Sequence, residues 1–508
     1  MEHISSSEPD TPIEALKELP NKNNGSWLRD RGLRKLNMGI AFMFASSAGT
    51  GYNGSLMNGL LVLPEFTTLT GGLKPSIVGL LIAATSLGAF VSFVPASYLA
   101  DMFGRKVCVC AGACLVIAAS IAQVAVQSHW AFFGCRVLAG LGTGTAQTAA
   151  PLLATEIAHP RQRQTATALY NAAWCIGSIT SAAITLATLS VHNDWSWRVP
   201  CMLQALFPLT QLVGLYFVPE SPRWLVSKGR KTEALAVLEK YHANGNPDDV
   251  LVQHEFHQIC ISIDTLYQQP GYWKTFFSSR GDLHRLAICI IVGFMQEWAG
   301  NGILSYYLPP IIKSVGITRP HDQGGLNVGL QVWNLILSSA GAVASERYGR
   351  RILWLLSTAS MLLFLSLTTI MAGLFQENQI AAAGLAVVPM LFLFFAGFDL
   401  AYAPLFIAYP AEILPFQLRA KGLAITLSTD ALACFFNQYV NPVAFTAMRW
   451  KYYFVYVGCL VMFFLLAYFL FPETKGRSLE EVSKIFDCNK SDVGDDVESE
   501  DKDGEKSE

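Results

Sequence analysis

The chain has 508 residues, 52% of them hydrophobic and 15% charged, with a mean hydropathy of +0.36. Soluble globular domains carry roughly 25% charge, so the composition sets this chain apart from them. Its formal net charge of −2 offers nothing for a nucleic-acid backbone to bind.

Residues 1–35 are polar, contain Glu2, Glu8, Asp10 and Glu14, and lack the apolar stretch of a cleavable signal peptide. They are expected to form a disordered cytoplasmic lead ending in Arg29, Arg31, Arg34 and Lys35. Windows long enough to cross about 30 Å of hydrocarbon as helices then fall near 36–58, 76–99, 107–126, 130–154, 166–190 and 199–218. A polar stretch, 219–283, follows. Leu225, Leu235, Leu238 and Tyr241 alternate there with Lys231, Glu233, Glu239 and Lys240, which predicts short amphipathic helices around an Asn244-Gly-Asn-Pro247 turn. Six more windows lie near 284–308, 325–345, 352–373, 383–408, 421–446 and 451–471, and the tail beyond Cys488 is acidic and expected to be disordered. The predicted organisation is thus a lead (1–35), a six-helix half (36–218), a cytoplasmic linker (219–283), a second six-helix half (284–471) and a tail (472–508).

Orientation follows from Lys and Arg in the short loops: Arg105 and Lys106, Arg161 and Arg163, Arg347, Arg350 and Arg351, Arg419 and Lys421. Together with the basic N-terminus they place both termini and the linker in the cytoplasm. The eleven cysteines sit mostly in apolar blocks, without metal-type spacing or a secreted disulfide framework. No nucleophile–base pair, phosphate-cradling glycine loop or metal cluster stands out, so the chain reads as neither an enzyme nor a cofactor protein.

Three motifs occur twice in the same order. Asp101-Met-Phe-Gly-Arg-Lys106 matches Glu346-Arg-Tyr-Gly-Arg-Arg351; Glu156 before Arg161 matches Glu412 before Arg419; Pro219-Glu220-Ser-Pro-Arg223-Trp matches Pro472-Glu473-Thr-Lys-Gly-Arg477. Collinear matches of this kind indicate duplicated halves. An acid followed by Gly-Arg in a tight turn, with further carboxylates at helix ends, supplies an ion-pair lattice where the halves meet. The expected cytoplasmic gate is Asp101, Arg105, Glu156, Glu220, Arg223, Glu346, Arg350, Glu412 and Glu473. Exposed pairs are worth about 0.2–1 kcal/mol each, which suits a reversible latch.

With these motifs, and with Arg136 in Arg-Val-Leu-Ala-Gly-Leu-Gly-Thr-Gly, the chain from about 36 to 486 resembles the sugar porter family of the major facilitator superfamily. Within it the chain looks most like fungal lactose and cellodextrin permeases and their hexose-transporting relatives, on Gly51-Tyr-Asn-Gly-Ser-Leu-Met-Asn-Gly59, Lys240-Tyr-His-Ala-Asn-Gly245, Trp298-Ala-Gly-Asn-Gly-Ile-Leu-Ser-Tyr-Tyr307 and Phe436-Asn-Gln-Tyr-Val-Asn-Pro442. The resemblance implies an all-α membrane fold of twelve transmembrane helices in two six-helix pseudo-repeats, working as a plasma-membrane carrier by alternating access. The substrate would be a hexose or a disaccharide such as lactose, and the unit a functional monomer in the lipid bilayer. It places Arg136 in the cytoplasmic half near the gate. Asn171, Gln296 and Asn334 resemble sugar-contacting amides; Glu297, Asn301, Tyr306, Tyr307 and the ring of Trp174 or Trp298 are further candidates. Hydrogen bonding between helices is the competing role for such groups.

Proton-coupled members often carry an acid on the first helix, where this chain has Asn53. Glu297 stands where the family usually has glutamine, and Asp399 and Asp430 are also intramembrane. An ionised group at the bilayer centre costs about 2.5 kcal/mol or more. Two alternatives follow: a facilitator without proton coupling, or a symporter whose proton carrier is Glu297 or Asp399. Rival cargoes are quinate, inositol or a secondary metabolite, including outward transport; a non-transporting sugar sensor is disfavoured by the short tail.

Overall fold

The computed structural model describes residues 30–475 except 70–73, 161, 269–272, 307, 315 and 318, together with 482, 485 and 486. Every regular element among them is helical. In chain order these are α1 (Arg31–Leu60), α2 (Pro64–Leu69), α3 (Pro75–Phe103), α4 (Arg105–Ala125), α5 (His129–Ile157), α6 (Arg163–Thr188), α7 (Trp195–Leu203) and α8 (Leu206–Phe217). Then come α9 (Pro222–Ser227), α10 (Lys231–His242), α11 (Val250–Gln268), α12 (Arg280–Trp298), α13 (Asn301–Tyr306) and α14 (Leu308–Ser314). The chain ends with α15 (Pro320–Tyr348), α16 (Arg350–Asn378), α17 (Ala381–Ile413), α18 (Phe416–Met448) and α19 (Tyr453–Leu470).

The fold is an all-α, multi-span membrane fold. Among the described residues eight stretches are long and apolar enough to cross a bilayer, and one of them, Lys421–Leu470, takes in two successive helices. Twelve windows were expected. The helices α1, α5 and α15 are as long as the others but outside these eight, because their buried faces are polar: Ser46, Ser47 and Asn53 on α1, Arg136 and Thr143 on α5, Gln323, Asn327, Gln331 and Asn334 on α15. Such faces turn to protein rather than lipid.

Helices α1 and α3–α8 pack among themselves, and α12 with α15–α19 do likewise; we refer to these as the N-terminal and C-terminal groups. The groups meet where α3 packs on α18, α6 on α15, and α1 on α13. Small residues set the spacing inside the N-terminal group. A Cβ on Gly140 would lie 2.1 Å from the Thr85 carbonyl oxygen, so α3 and α5 touch backbone to backbone.

Two expected continuous helices are broken. The 199–218 window splits at Gln204–Ala205, and Pro208 lies in the first turn of α8, where its missing N–H leaves no intrahelical bond unmade. The 284–308 window breaks at Ala299–Gly300, where Gly300 takes φ +103°, a conformation open to glycine. Between the groups, α9–α11 bury Trp224, Leu225, Leu238, Val252 and Ile259 against one another.

Candidate functional site

At one end of each group a turn built on a glycine receives a carboxylate. Gly104 (φ +103°) links α3 to α4, and Glu220 accepts from the backbone N–H of Arg105 and Lys106, both at 3.2 Å. Gly349 (φ +94°) links α15 to α16, and Glu473 accepts from Arg350 N (2.8 Å) and Arg351 N (3.1 Å). A Cβ would fall 2.5 Å from Glu220 Oε2 at the first turn and 2.8 Å from Glu473 Oε2 at the second, so a side chain is excluded twice over. Burial acts to raise the Glu473 pKa, but four backbone N–H donors outweigh it and hold the carboxyl below its ordinary value.

The arginines complete each cluster. Arg105 pairs with Glu156 (3.3 Å) and with Asp101 (3.2 Å), while the Ser221 hydroxyl donates to Glu156. Arg350 grips Glu412 through Nη2 (2.9 Å) and Nε (3.1 Å), and the Thr474 hydroxyl donates to Glu412 at 2.6 Å. The expected lattice was to join the two groups; these pairs instead close within one group each, because each carboxylate sits at the end of a helix packed beside its own glycine turn. Arg223 stands close enough to Arg163 and Arg419 for the like charges to act on them. The Glu346 side chain lies outside the described residues.

Arg136 requires a correction. It sits in the second turn of α5, whereas Glu156 is one residue from that helix's other end. Twenty residues at 1.5 Å each separate them by about 30 Å, so Arg136 is at the face opposite the gate cluster. The helix register places it there, whatever the motif suggests. It is buried, and its Nε and Nη1 have no hydrogen-bond partner.

The linker is bolted to the N-terminal group by polar contacts. The Trp224 indole donates to Asp101 O (3.0 Å), Asn244 Oδ1 accepts from Gly32 N (2.7 Å), and Arg163 reaches Thr155 O (2.9 Å) and Glu255 (3.4 Å). His242 places Nδ1 2.8 Å from Glu255 Oε2 and Nε2 3.1 Å from Ile157 O. Both ring nitrogens face acceptors, which the imidazolium form satisfies. Burial pulls the His242 pKa down, but the Glu255 charge and the two hydrogen bonds outweigh it and leave it raised; Glu255 is lowered, since His242 and Arg163 overcome its own burial.

Polar groups also collect deep inside the membrane-spanning part. On α12 and just past its break, Gln296 Oε1, Glu297 Oε2 and Asn301 Oδ1 are buried without partners. The Cys434 thiol hydrogen-bonds Glu297, and Asp430 lies close enough for its charge to act on it. Asp430 Oδ1 is likewise unpartnered. Close approach at Gly293, whose Cβ would meet Thr426 O at 2.8 Å, brings α12 and α18 together here. With its amide turned so that nitrogen faces acceptors, Asn334 donates to Asp399 Oδ2 (3.2 Å) and Leu330 O (3.1 Å). Trp298 spends its indole N–H on Ala433 O (3.1 Å) and sets its ring edge-on to Phe294, a packing role.

Asn53 is buried with neither amide atom paired. Asn171 and Trp174 lie on α6 with exposed side chains. Tyr306 ends α13 with its side chain outside the described residues, as is Tyr307 altogether. Sequence reasoning passed over an amide–phenol cluster beside these groups. Asn437 donates to the Glu297 carbonyl (2.6 Å) and accepts from Asn441, while Tyr452 (2.9 Å) and Tyr456 (2.5 Å) donate to Asn441 Oδ1. The signal was present: two asparagines four apart put their amides on one face of an apolar helix.

Comparison with known proteins agrees with this architecture. A family model described as "Sugar (and other) transporter" matches residues 39–486. Hexose transporter 2 of Kluyveromyces lactis is 28% identical over 420 residues, 80% of this chain and 74% of that protein. The MFS-type transporter oryC of Aspergillus oryzae is 28% identical over 453 residues, 86% of this chain and 83% of that one. Among solved structures, the proton:xylose symporter XylE bound to 6-bromo-6-deoxy-D-glucose superposes with a TM-score of 0.74 at 20% identity, covering 89% of this chain and 99% of that one. The inward-open xylose transporter XylE from E. coli gives 0.73 at 20% identity, covering 89% and 99%. The match along nearly the whole membrane-embedded length makes this chain a transporter of the major facilitator sugar-porter family.

Proposed function

We propose that the protein carries a sugar across the plasma membrane by alternating access, coupled to protons, with twelve spans in two six-helix halves and both termini in the cytoplasm. The three spans beyond the apolar stretches would be α1, α5 and α15, with the Lys421–Leu470 stretch supplying two. The observation that carries the reading is a set of buried, unpartnered polar atoms inside the membrane-spanning part: Gln296 and Glu297 on α12, Asn301 on α13, and Asn53 on α1, the helix against which α13 packs. Each such atom costs about 1–3 kcal/mol when left unsatisfied, and a polyhydroxylated ligand is the kind of molecule that satisfies many at once. In this reading Gln296, Asn301 and Asn334 from the C-terminal group and Asn171 from the N-terminal group contact the sugar. The names of the similar proteins, hexose and xylose transporters, support the substrate class.

Asn53 cannot titrate, so the proton is assigned to the Glu297–Asp430 pair: two carboxyls in a low-dielectric setting cannot both be ionised cheaply. Asp399 is engaged with Asn334 and takes a supporting part. The test is radiolabelled uptake in yeast lacking hexose transport, over mono- and disaccharides at two pH values. Sugar uptake that rises at acid pH supports the reading, pH-independent uptake makes the protein a facilitator, and no uptake of any sugar points to another solute. Glu297→Gln should abolish uptake driven by a pH gradient while leaving counterflow intact.

A further inference from the structure

One face of α15 carries more amides than a single sugar ring needs. Gln323, Asn327, Gln331 and Asn334 recur every three or four residues, so they line one side of the helix. Each is more than nine-tenths buried. The two ends of the row are engaged: Gln323 Nε2 donates to Ile317 O (2.8 Å), and Asn334 to Asp399 and Leu330. The two in the middle are not, since Asn327 Oδ1 and Gln331 Oε1 are buried with no hydrogen-bond partner.

We propose that Asn327 forms a subsite for a second sugar ring, with Gln331 at the junction of the two rings, which makes the substrate class a disaccharide. The inference rests on the sugar-transport reading above and deepens it. Asn334 is the midpoint of a 29-residue helix, so it lies near the centre of the membrane-spanning part. From there the row runs away from the Gly349 turn, rising about 4.5 Å to Gln331 and about 10 Å to Asn327 at 1.5 Å per residue. With bonds of about 1.5 Å, one pyranose ring spans about 5 Å and two linked rings about 10 Å. A ring at Asn334 therefore reaches Gln331, and only a second ring reaches Asn327.

The surroundings frame this length. The α6 helix packs along α15, with Cys175 Sγ 3.9 Å from Ser338 Oγ one turn below Asn334. Above Asn327, a Cβ on Gly324 would sit 2.7 Å from Leu186 Cδ1, so α6 and α15 close tightly one turn beyond the subsite. The unpaired amide oxygens thus lie between two contacts that join the N-terminal and C-terminal groups, where a ligand enclosed by both would lie. An amide carbonyl oxygen there accepts from a sugar hydroxyl.

The test measures uptake of radiolabelled glucose and of radiolabelled lactose, cellobiose and maltose by the full chain and by Asn327→Leu, Gln331→Leu, Asn327→Ser and Gln331→Ser, normalised to protein at the cell surface. The expected result is wild-type uptake of at least one disaccharide. Its KM should rise about tenfold in the position-327 variants, with glucose uptake or glucose competition within twofold of wild type. Retained glucose handling also shows that the variants fold. At position 327, disaccharide and glucose affected equally in both the Leu and Ser variants, or neither affected, overturns the subsite. A wild-type protein that handles glucose but no disaccharide overturns the subsite and leaves the sugar reading standing. Failure with every sugar overturns both.

Discussion

At the Gly349 turn Arg350 holds Glu412 through Nε and Nη2, whereas at the Gly104 turn Arg105 meets Glu156 at 3.3 Å through Nε and spends Nη1 on Asp101. The same motif has been duplicated, yet the load is carried differently. In the C-terminal copy it is concentrated in one forked guanidinium–carboxylate pair, the stronger geometry. In the N-terminal copy the arginine is split between Glu156 and Asp101, Glu220 and Ser221 match Glu473 and Thr474, and the Trp224 indole adds a hydrogen bond to Asp101 O. Sequence similarity between the copies therefore reports shared backbone geometry more faithfully than shared energetics.

The largest expected effect strikes what the copies share. Gly104→Ala and Gly349→Ala each force a positive φ on a side-chain-bearing residue and push a Cβ into a carboxylate. We expect about 2–4 kcal/mol of destabilisation, with Gly104→Ala the worse because its contact is the tighter. Thermal unfolding of the detergent-purified protein checks this; equal, small shifts would mean the glycines are not what defines the turns.

Next comes what divides them. Glu412→Gln removes the acceptor charge of the forked pair and should cost about 1–2 kcal/mol, against about 0.5 kcal/mol for Glu156→Gln, whose arginine keeps Asp101. A double-mutant cycle of each glutamate with its arginine gives the two coupling energies. The reverse order would break the comparison.

The smallest effect is a pH dependence at the linker on the N-terminal side. His242 is raised above its ordinary 6.5, so its contribution to linker docking is complete below that value and is lost as pH rises through the raised one. Glu255 is lowered below 4.5, so its part persists above 4.5 and fails only as pH falls through the lowered value. Docking should be strongest between these limits and loosen as pH rises through the raised His242 value. Amide exchange in α10 and α11, corrected for its intrinsic pH dependence, should speed up severalfold there, and His242→Gln should flatten the response.

Much of this was legible beforehand. The repeated acid–Gly-Arg turns announced themselves because backbone geometry at a positive φ demands glycine, and glycine next to charge is conspicuous in an apolar chain. The helical pattern of 219–283 was readable for the same reason any amphipathic segment is. Arg136 was misplaced because a motif does not say which end of a helix it occupies, although counting residues from Glu156 would have shown it. The Asn437–Asn441–Tyr452–Tyr456 cluster was hidden because it joins α18 to the chain beyond it across a turn at 449–452, a contact that no periodicity encodes. The break at Gly300 was likewise invisible within a run apolar enough to pass as one helix.

The linker contacts have a mechanical meaning. Asn244 fastens the start of α1, Trp224 the end of α3, His242 the end of α5, and Glu255 the start of α6. Four helix ends of the N-terminal group, already packed on one another, are thereby splinted into one plate. Torque applied by the C-terminal helices then turns the N-terminal helices as a single block, and a probe attached anywhere on α9–α11 reports the angle of that whole block.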